Sequence, residues 1–380
     1  MTAVYDGGEL PGIVVTASRE DSSKQAPLYQ FTDGDPNGLT IVIHHKKTDE
    51  YFLPAVLDGA TWEVHRKGSP GRFKFSITRD YILKVEEGDT VDAIWRGTQF
   101  FHGFIFTRTR TKDKTFKVMA YDQLRYFLNK DTFSYQGKKA SEVVKELAED
   151  FECNTGDLDD TGFIIEKRRE ANATILDMCQ NALDLTMIHT NKIFVLYDDC
   201  GKITLKDIEK LKTDLLIDAD NAQDYEYNTT IDKGTYNLIK LTVDDQSNGQ
   251  RVYYAPASPE EYSKSETRKQ WGVLQMFQNI NPKSQSPQDL ANKYLEHYNK
   301  VRRTLRIKGA AGDLKVRGGS MMYLNIDIGE DDDKEAQQKN EMKVREIIVE
   351  SVTHKFENHL HTMDLEVRGD IITGEGSGSK

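Results

Sequence analysis

The sequence predicts a mainly β protein with an α+β insert: two β-barrel domains, a small α/β domain between them, and a helical excursion within the second barrel. Three observations predict it. From residue 39 to 128, apolar and polar residues alternate in short runs, so each run can bury one face and wet the other. At Gly137 the apolar period lengthens to that of a helix. From Asp224 the strand period returns and, after a polar and helical stretch, persists to Val367. The expected limits are an N-terminal arm at 1–38, a first barrel at 39–134, the α/β domain at 135–222, a second barrel at 223–369 with its excursion at 256–301, and a flexible tail at 370–380.

The arm carries one candidate strand, Gly12-Ile-Val-Val-Thr16, ahead of a polar run, and is expected to order against a neighbour. The turn cluster Asp33-Gly-Asp-Pro-Asn-Gly38 leads into the first barrel strand, Leu39-Thr-Ile-Val-Ile43. Further strands are expected at Gly59-Ala-Thr-Trp-Glu-Val64, Arg72-Phe-Lys-Phe-Ser-Ile77, Val91-Asp-Ala-Ile-Trp95, residues 99–106 and residues 115–121. Arg96-Gly97-Thr98 reads as a tight hairpin in which Gly97 takes positive φ.

In the α/β domain, Ala140, Val143, Val144, Leu147, Ala148 and Phe151 fall at helical spacing, with Lys138 or Ser141 at the start. Phe163-Ile-Ile165 reads as a short strand. Thr174 is placed to cap a second helix whose inner face is Ile175, Met178, Cys179, Ala182 and Leu183. Asp198-Asp-Cys-Gly201 turns the chain between two strands. In the second barrel, Asn237-Leu-Ile-Lys-Leu-Thr-Val243 and Arg251-Val-Tyr-Tyr254 alternate as strands. Ser286-Pro-Gln-Asp289 opens a helix, with Pro at its first position and an acid in its first turn. Strands then recur at 305–307, 314–316, 321–328, 344–354 and 361–367.

Charged residues make up 30% of the chain and the formal net charge is −11. That argues against a general nucleic-acid binder, which would be basic. No apolar run approaches the roughly 18 residues of a membrane helix, so membrane insertion is not expected. Residues 1–6 lack the basic and apolar regions of a signal peptide. Cys153, Cys179 and Cys200 are odd in number and widely spaced, which fits synthesis in a reducing cytoplasm rather than a disulfide framework.

Each cluster of chemically capable residues has a plainer reading. His354, His359 and His361 surround one hairpin and offer imidazoles to a metal. No nearby Cys or Glu completes a four-ligand set, so a turn at Asn358 with histidines paired across the strands is expected. The runs starting at Asp33 and Asp157 match only the first half of a calcium loop, with His44 and Arg168 where the closing Glu would stand. Arg108-Thr-Arg-Thr-Lys112 alternates like a strand edge, and His44 and His45 fall on opposite faces of one strand. Cys179 lies on a core face. There is no nucleophile elbow, phosphate loop, zinc-protease helix or dinucleotide fingerprint. No catalytic residue, cofactor or metal is expected.

Taken in order, several short stretches resemble one known family. They are Gly88-Asp-Thr-Val91, Phe101-His-Gly-Phe-Ile105, Val118-Met-Ala-Tyr-Asp122, residues 124–131, Gly137-Lys-Lys-Ala-Ser141, Gly201-Lys-Ile-Thr-Leu205, Val352-Thr-His-Lys-Phe356 and His361-Thr-Met-Asp-Leu365. Over residues 39–368 the set is similar to the baseplate hub family of contractile tails, of the XkdQ/YqbQ type of defective prophages and related to the phage late control protein D. The resemblance implies a homotrimer with two barrels per subunit, six barrels forming a pseudo-sixfold ring. Such a ring adapts a hexameric tail tube, or tube initiator, to a trimeric central spike among other baseplate proteins. It also implies assembly in the bacterial cytoplasm and a structural rather than catalytic role, in a phage tail or a tail-like bacteriocin. Two other classes stay open: a peptidoglycan-degrading tail hydrolase, which needs paired acids or a complete metal set in a cleft, and a carbohydrate-binding tail protein, which needs an exposed aromatic platform. Trp62, Trp95 and Trp271 are the candidates for the last.

One stretch stands outside the resemblance. Glu330, Asp331, Asp332 and Asp333 open a polar link between two strand-like runs, far longer than the two to five residues that a hairpin usually needs. With almost no apolar side chain it cannot repay the entropy of ordering by burial. These four acids are therefore the partner-docking candidates, their charge setting specificity for a neighbouring tail component. Replacing 330–341 by a short Gly-Ser-Asn turn should leave thermal stability and subunit number unchanged while incorporation into particles falls. Normal particle yield would make the link ornamental.

Overall fold

The structure, a computed structural model, describes residues 13–14, 30–31, 38–79, 82–232, 234–245, 250–254, 265–280, 287–326 and 344–368. Near the N-terminus β1 (Ile13–Val14) pairs antiparallel with β2 (Gln30–Phe31). The first half of the sheet system comprises β3 (Leu39–His45), β4 (Glu50–Phe52), β5 (Val56–His65), β6 (Arg72–Thr78), β7 (Thr90–Trp95), β8 (Thr98–Arg110) and β9 (Thr115–Tyr121). Alternation produces them as expected. In β6, Phe73, Phe75 and Ile77 are buried while Lys74 and Thr78 are exposed. The β7–β8 turn has both Arg96 (φ 47°) and Gly97 (φ 81°) in the left-handed region, the two-residue geometry that matches strand twist.

The insert follows: β10 (Lys130–Lys139), α1 (Ala140–Asp150), β11 (Thr155–Leu158), β12 (Ile164–Thr174), α2 (Ile175–Thr190), β13 (Phe194–Asp198) and β14 (Ile203–Asp207). Thr174 caps α2 as expected, its hydroxyl accepting from Asp177 N at 3.1 Å. Neither Lys138 nor Ser141 opens α1. Its N-cap is Lys139, whose N–H donates to the Glu142 carboxylate at 2.8 Å. The strand expected at 163–165 is instead eleven residues long and pairs with β10 in a two-stranded ribbon. Both strands of that ribbon are largely exposed, so no alternation announces them. The insert has its own core of α1, α2 and strand residues, among them Val143, Leu147, Met178, Cys179, Ile203 and Leu205.

The second half comprises β15 (Lys212–Asp218), β16 (Asp224–Thr230), β17 (Leu238–Asp245), β18 (Gln250–Tyr254), α3 (Glu266–Trp271), β19 (Gln275–Asn279), α4 (Pro287–Tyr298), β20 (Arg302–Ala311), β21 (Met321–Asn325), β22 (Arg345–Glu357) and β23 (Leu360–Arg368). Pro287 starts α4 as expected. β17 and β18, expected within the second barrel, instead join β19 in a separate three-stranded sheet on which Leu290 and Ala291 of α4 pack.

The mainly β class with a helical insert holds, although the barrels are not closed and their strands run on into one sheet. Among the described residues thirteen strands form one sheet whose main path runs β16-β20-β23-β22-β5-β6-β9-β8-β7-β3-β4, with β21 and β15 branching from β22. The cause is the length of β22. Its first part pairs with β21 (Arg345 opposite Leu324), and its last part pairs with β5 (Ser351 opposite His65 through Phe356 opposite Ala60). β23 runs along its other edge. The apolar interior is accordingly one cluster drawn from both halves. Phe356 of β22 stacks on Phe100 of β8 at 4.8 Å between ring centroids and lies 5.1 Å from Trp95, and Phe100 continues to Trp62 and Phe73.

Truncating Phe356 to Ala should therefore cost about 3–5 kcal/mol, the usual range for a buried Phe. Because the core is shared, denaturant unfolding followed by tryptophan fluorescence and by far-ultraviolet circular dichroism should stay superimposable. A loss below about 1 kcal/mol, or two separated transitions in the wild type, would contradict a shared core.

Candidate functional site

The β5–β22 seam gathers the aromatic and imidazole groups that the sequence singled out. His354 is fully buried, opposite Trp62 in register and stacked on it at 4.7 Å. Its Nε2–H donates to Val316 O at 2.9 Å, which leaves Nδ1 to accept from His361 Nε2–H at 2.8 Å. His361 stacks in turn on Phe356 at 4.7 Å. Asn358 (φ 51°) and His359 (φ 58°) make the two-residue turn before β23, so the expected turn and cross-strand histidine pair are both present. His359 is exposed at that turn, outside the pair. Among the described residues no group of three His, Cys, Asp or Glu is arranged to hold a metal ion. At the other end of the seam Arg66, only 7% exposed, grips Glu350 by two hydrogen bonds of 3.0 and 2.8 Å. There the backbones approach so closely that a Cβ on Gly318 would fall 2.2 Å from Arg66 N.

A second polar junction seats the insert against both halves. Asp122, at the end of β9, accepts from Gly71 N at 2.7 Å and Leu124 N at 3.0 Å. Gln123 donates to Asp198 of β13 at 3.2 Å, and Asp198 also accepts from Gly201 N at 2.6 Å. Burial pushes both carboxyls above their usual range, Asp122 further because of the Asp198 charge. Arg317, from the second half, lies 4.1 Å over the Tyr197 ring and 3.7 Å from the Asp199 carboxylate. On the first half, His102 accepts the turn so closely that a Cβ on Gly201 would sit 2.6 Å from its ring. Burial opposes charge on His102, yet its 2.6 Å bond to Asp92 raises it above the ordinary value.

The remaining candidates have local partners. Asp159 and Asp160, in the partial calcium loop, pair with Lys210 at 2.8 Å and Lys139 at 2.7 Å, and Asp157 pairs with Lys206. His45 is buried against Asp89 at 2.9 Å while His44 stacks on Tyr51, on opposite faces as expected. Arg108 donates to Val85 O and lies 3.8 Å from Glu87. Burial pushes the thiols up, to about 11 for Cys153, about 12 for Cys200, and further for fully buried Cys179. Trp62 and Trp95 are core residues. Glu330, Asp331, Asp332 and Asp333 lie outside the described residues. Among the described residues, no helix is long and apolar enough to cross a membrane.

The histidine pair sets a pH dependence. Burial, and for His354 the neighbouring imidazole, lowers His354 to about 3 and His361 to about 4, from an ordinary 6.5. The unfolded chain takes up protons below about pH 6.5 that the folded chain refuses, so this contribution is whole above that pH and is lost as pH falls towards 4 and then 3. The slope is about 1.4 kcal/mol per pH unit for His354, and less for His361, which keeps some contact with water. The raised carboxyls of Asp122 and Asp198 run the other way, so the test is a comparison. His361→Gln, which can still donate to His354, should narrow its stability gap to wild type between pH 7 and pH 5. Parallel curves would refute the assignment.

Similarity to known proteins extends over nearly the whole described chain. The YQBQ-like family matches residues 60–368. The phage-like element PBSX protein XkdQ of Bacillus subtilis (strain 168) is 27% identical over 334 residues, spanning 84% of this chain and 94% of that protein. Two solved structures share the fold. The 43 kDa tail protein of prophage MuSo2 from Shewanella oneidensis superposes with a TM-score of 0.58 at 9% identity, covering 86% of this chain and 98% of that one. The tail protein from Neisseria meningitidis MC58 superposes at 0.56 and 10% identity, covering 88% and 97%. The motifs noted in the sequence fall at the constraints described above: Asp89 against His45, Asp122 at the junction, and His354 and Phe356 in the seam. With the fold of tail proteins and a match across 60–368, the chain belongs to the YQBQ-like family.

Proposed function

We propose that the chain is a phage-tail baseplate component, and specifically the structural, non-catalytic hub of a contractile tail. In this reading it is a homotrimer that adapts a hexameric tail tube, or tube initiator, to a trimeric central spike beside other baseplate proteins. It is assembled in the bacterial cytoplasm, for a phage tail or a tail-like bacteriocin. The observation that carries the reading is the family match across 60–368 joined to a tail-protein fold. XkdQ belongs to a phage-like element and the two structural neighbours are tail proteins. The domain limits at 38, 134, 222 and 369 are kept as part of the proposal.

Two physical features support it. Halves joined through one strand and one core cannot hinge freely, which suits an adaptor that transmits force. Among the described residues the sheet also ends in edges that no further strand covers: β16, almost wholly exposed, pairs with β20, and β15 pairs with β21. Such edges template pairing unless something covers them, and a ring of subunits would do so by a repeated heterologous contact. Burial of Trp62 and Trp95 takes two of the three tryptophans away from any sugar platform, which favours the structural reading over the carbohydrate-binding one.

Light scattering at micromolar concentration should give a trimer, with more than about 2,000 Å² buried at each subunit contact, the scale of obligate interfaces. A strict monomer, both alone and with tube and spike proteins, would sink the hub reading.

A further inference from the structure

The outer face of the first half carries a cleft that neither the seam nor the junction uses. Glu63, His65, Arg72, Tyr121 and Arg125 line about 290 Å³ between the sheet and the turn after β9. Glu63 is already engaged. Its carboxylate accepts from His65 at 2.8 Å and from Arg72. Burial opposes its ionisation, but these two partners hold it below the usual range.

Arg125 is placed differently. Its guanidinium lies 5.0 Å from the Phe106 ring centroid and 5.9 Å from that of Tyr121. Among the described residues no carboxylate or carbonyl accepts from this guanidinium. Arginine carries five N–H donors in a rigid planar fork. The rings cover part of that plane and hold its orientation without neutralising its charge. The cleft therefore sets one guanidinium that is already committed to Glu63 beside a second that is oriented and open. Such an open fork matches the two oxygens of a carboxylate.

We infer that this cleft receives an Asp or Glu side chain of a neighbouring tail protein, gripped by Arg125. The inference rests on the proposed tail function for its partner. Local charge fits the occupant to an acidic side chain, since the open guanidinium carries no carboxylate of its own, and a carboxylate carried on a docked protein arrives at high effective concentration.

The test uses the full chain in particle assembly. Arg125→Glu should melt like wild type yet lower particle yield by about tenfold or more, with Arg125→Lys between them. An Asp or Glu changed to Arg in one other tail protein should restore the yield of Arg125→Glu. Wild-type yield from Arg125→Glu would overturn the inference. So would Arg125→Gln melting more than about 5 °C low, since the residue would then be holding its own fold. Saturation of the Arg125 Nε–H resonance by low-millimolar acetate, with normal particle yield, would mark a small-anion pocket and overturn the protein source. Absence of the wild-type chain from particles would refute the tail function itself.

Discussion

Everything in this fold depends on one strand being long enough to serve both halves of one sheet. β22 spends its early residues on β21 and its late ones on β5, while β23 tracks its opposite edge. A backbone has only two hydrogen-bonding edges, so the hand-over near Ser351 has to occur at one place along one edge. The bulge between Val349 and Ser351 marks that place on the β23 side. Once the ladder is shared, the interiors have to merge, and Phe356, Phe100, Trp62 and His354 fill the space where two barrel walls would have met.

Polar groups at these junctions specify geometry. A buried imidazole with both nitrogens bonded accepts only one arrangement of β22, β23 and the Val316 loop. The Asp122, Gln123 and Asp198 cluster likewise permits one seating of the insert, because each buried oxygen needs its particular donor. Glycines complete both junctions by allowing approaches that a Cβ would forbid, at Gly318 and at Gly71, where a Cβ would fall 2.4 Å from the Asp122 carboxylate.

Local order was legible in the sequence and long-range partnership was not. Alternation located Phe73, Phe75 and Ile77, and cap chemistry located Thr174 and Pro287, because these signals act within a few residues. The histidine hairpin was legible for the same reason. The β10–β12 ribbon escaped because an exposed two-stranded ribbon buries no regular face. The departure of β17 and β18 from the main sheet escaped because a strand's pattern does not name its neighbour. For that reason too, nothing in the sequence showed β22 reaching β5. The Arg125 cleft depends on rings from two strands meeting over one side chain, which spacing along the chain cannot encode.

The shared strand also has a consequence in time. Arg66, at the end of β5, and Glu350, its partner on β22, are 284 positions apart. At roughly 5–20 residues per second, a ribosome takes on the order of 15–60 s to supply the second after the first. During that interval β5 waits with one edge unpaired, and its core face, Ala60, Trp62 and Val64, lacks the cover that Val352 and Phe356 will bring. The first half thus emerges from synthesis as an incomplete sheet beside many identical nascent copies. Arg66, Glu63 and Arg72 along that stretch place charge next to the waiting edge. Charge beside an open strand discourages premature edge-to-edge pairing, so residues that grip a partner in the finished molecule also guard its newborn form.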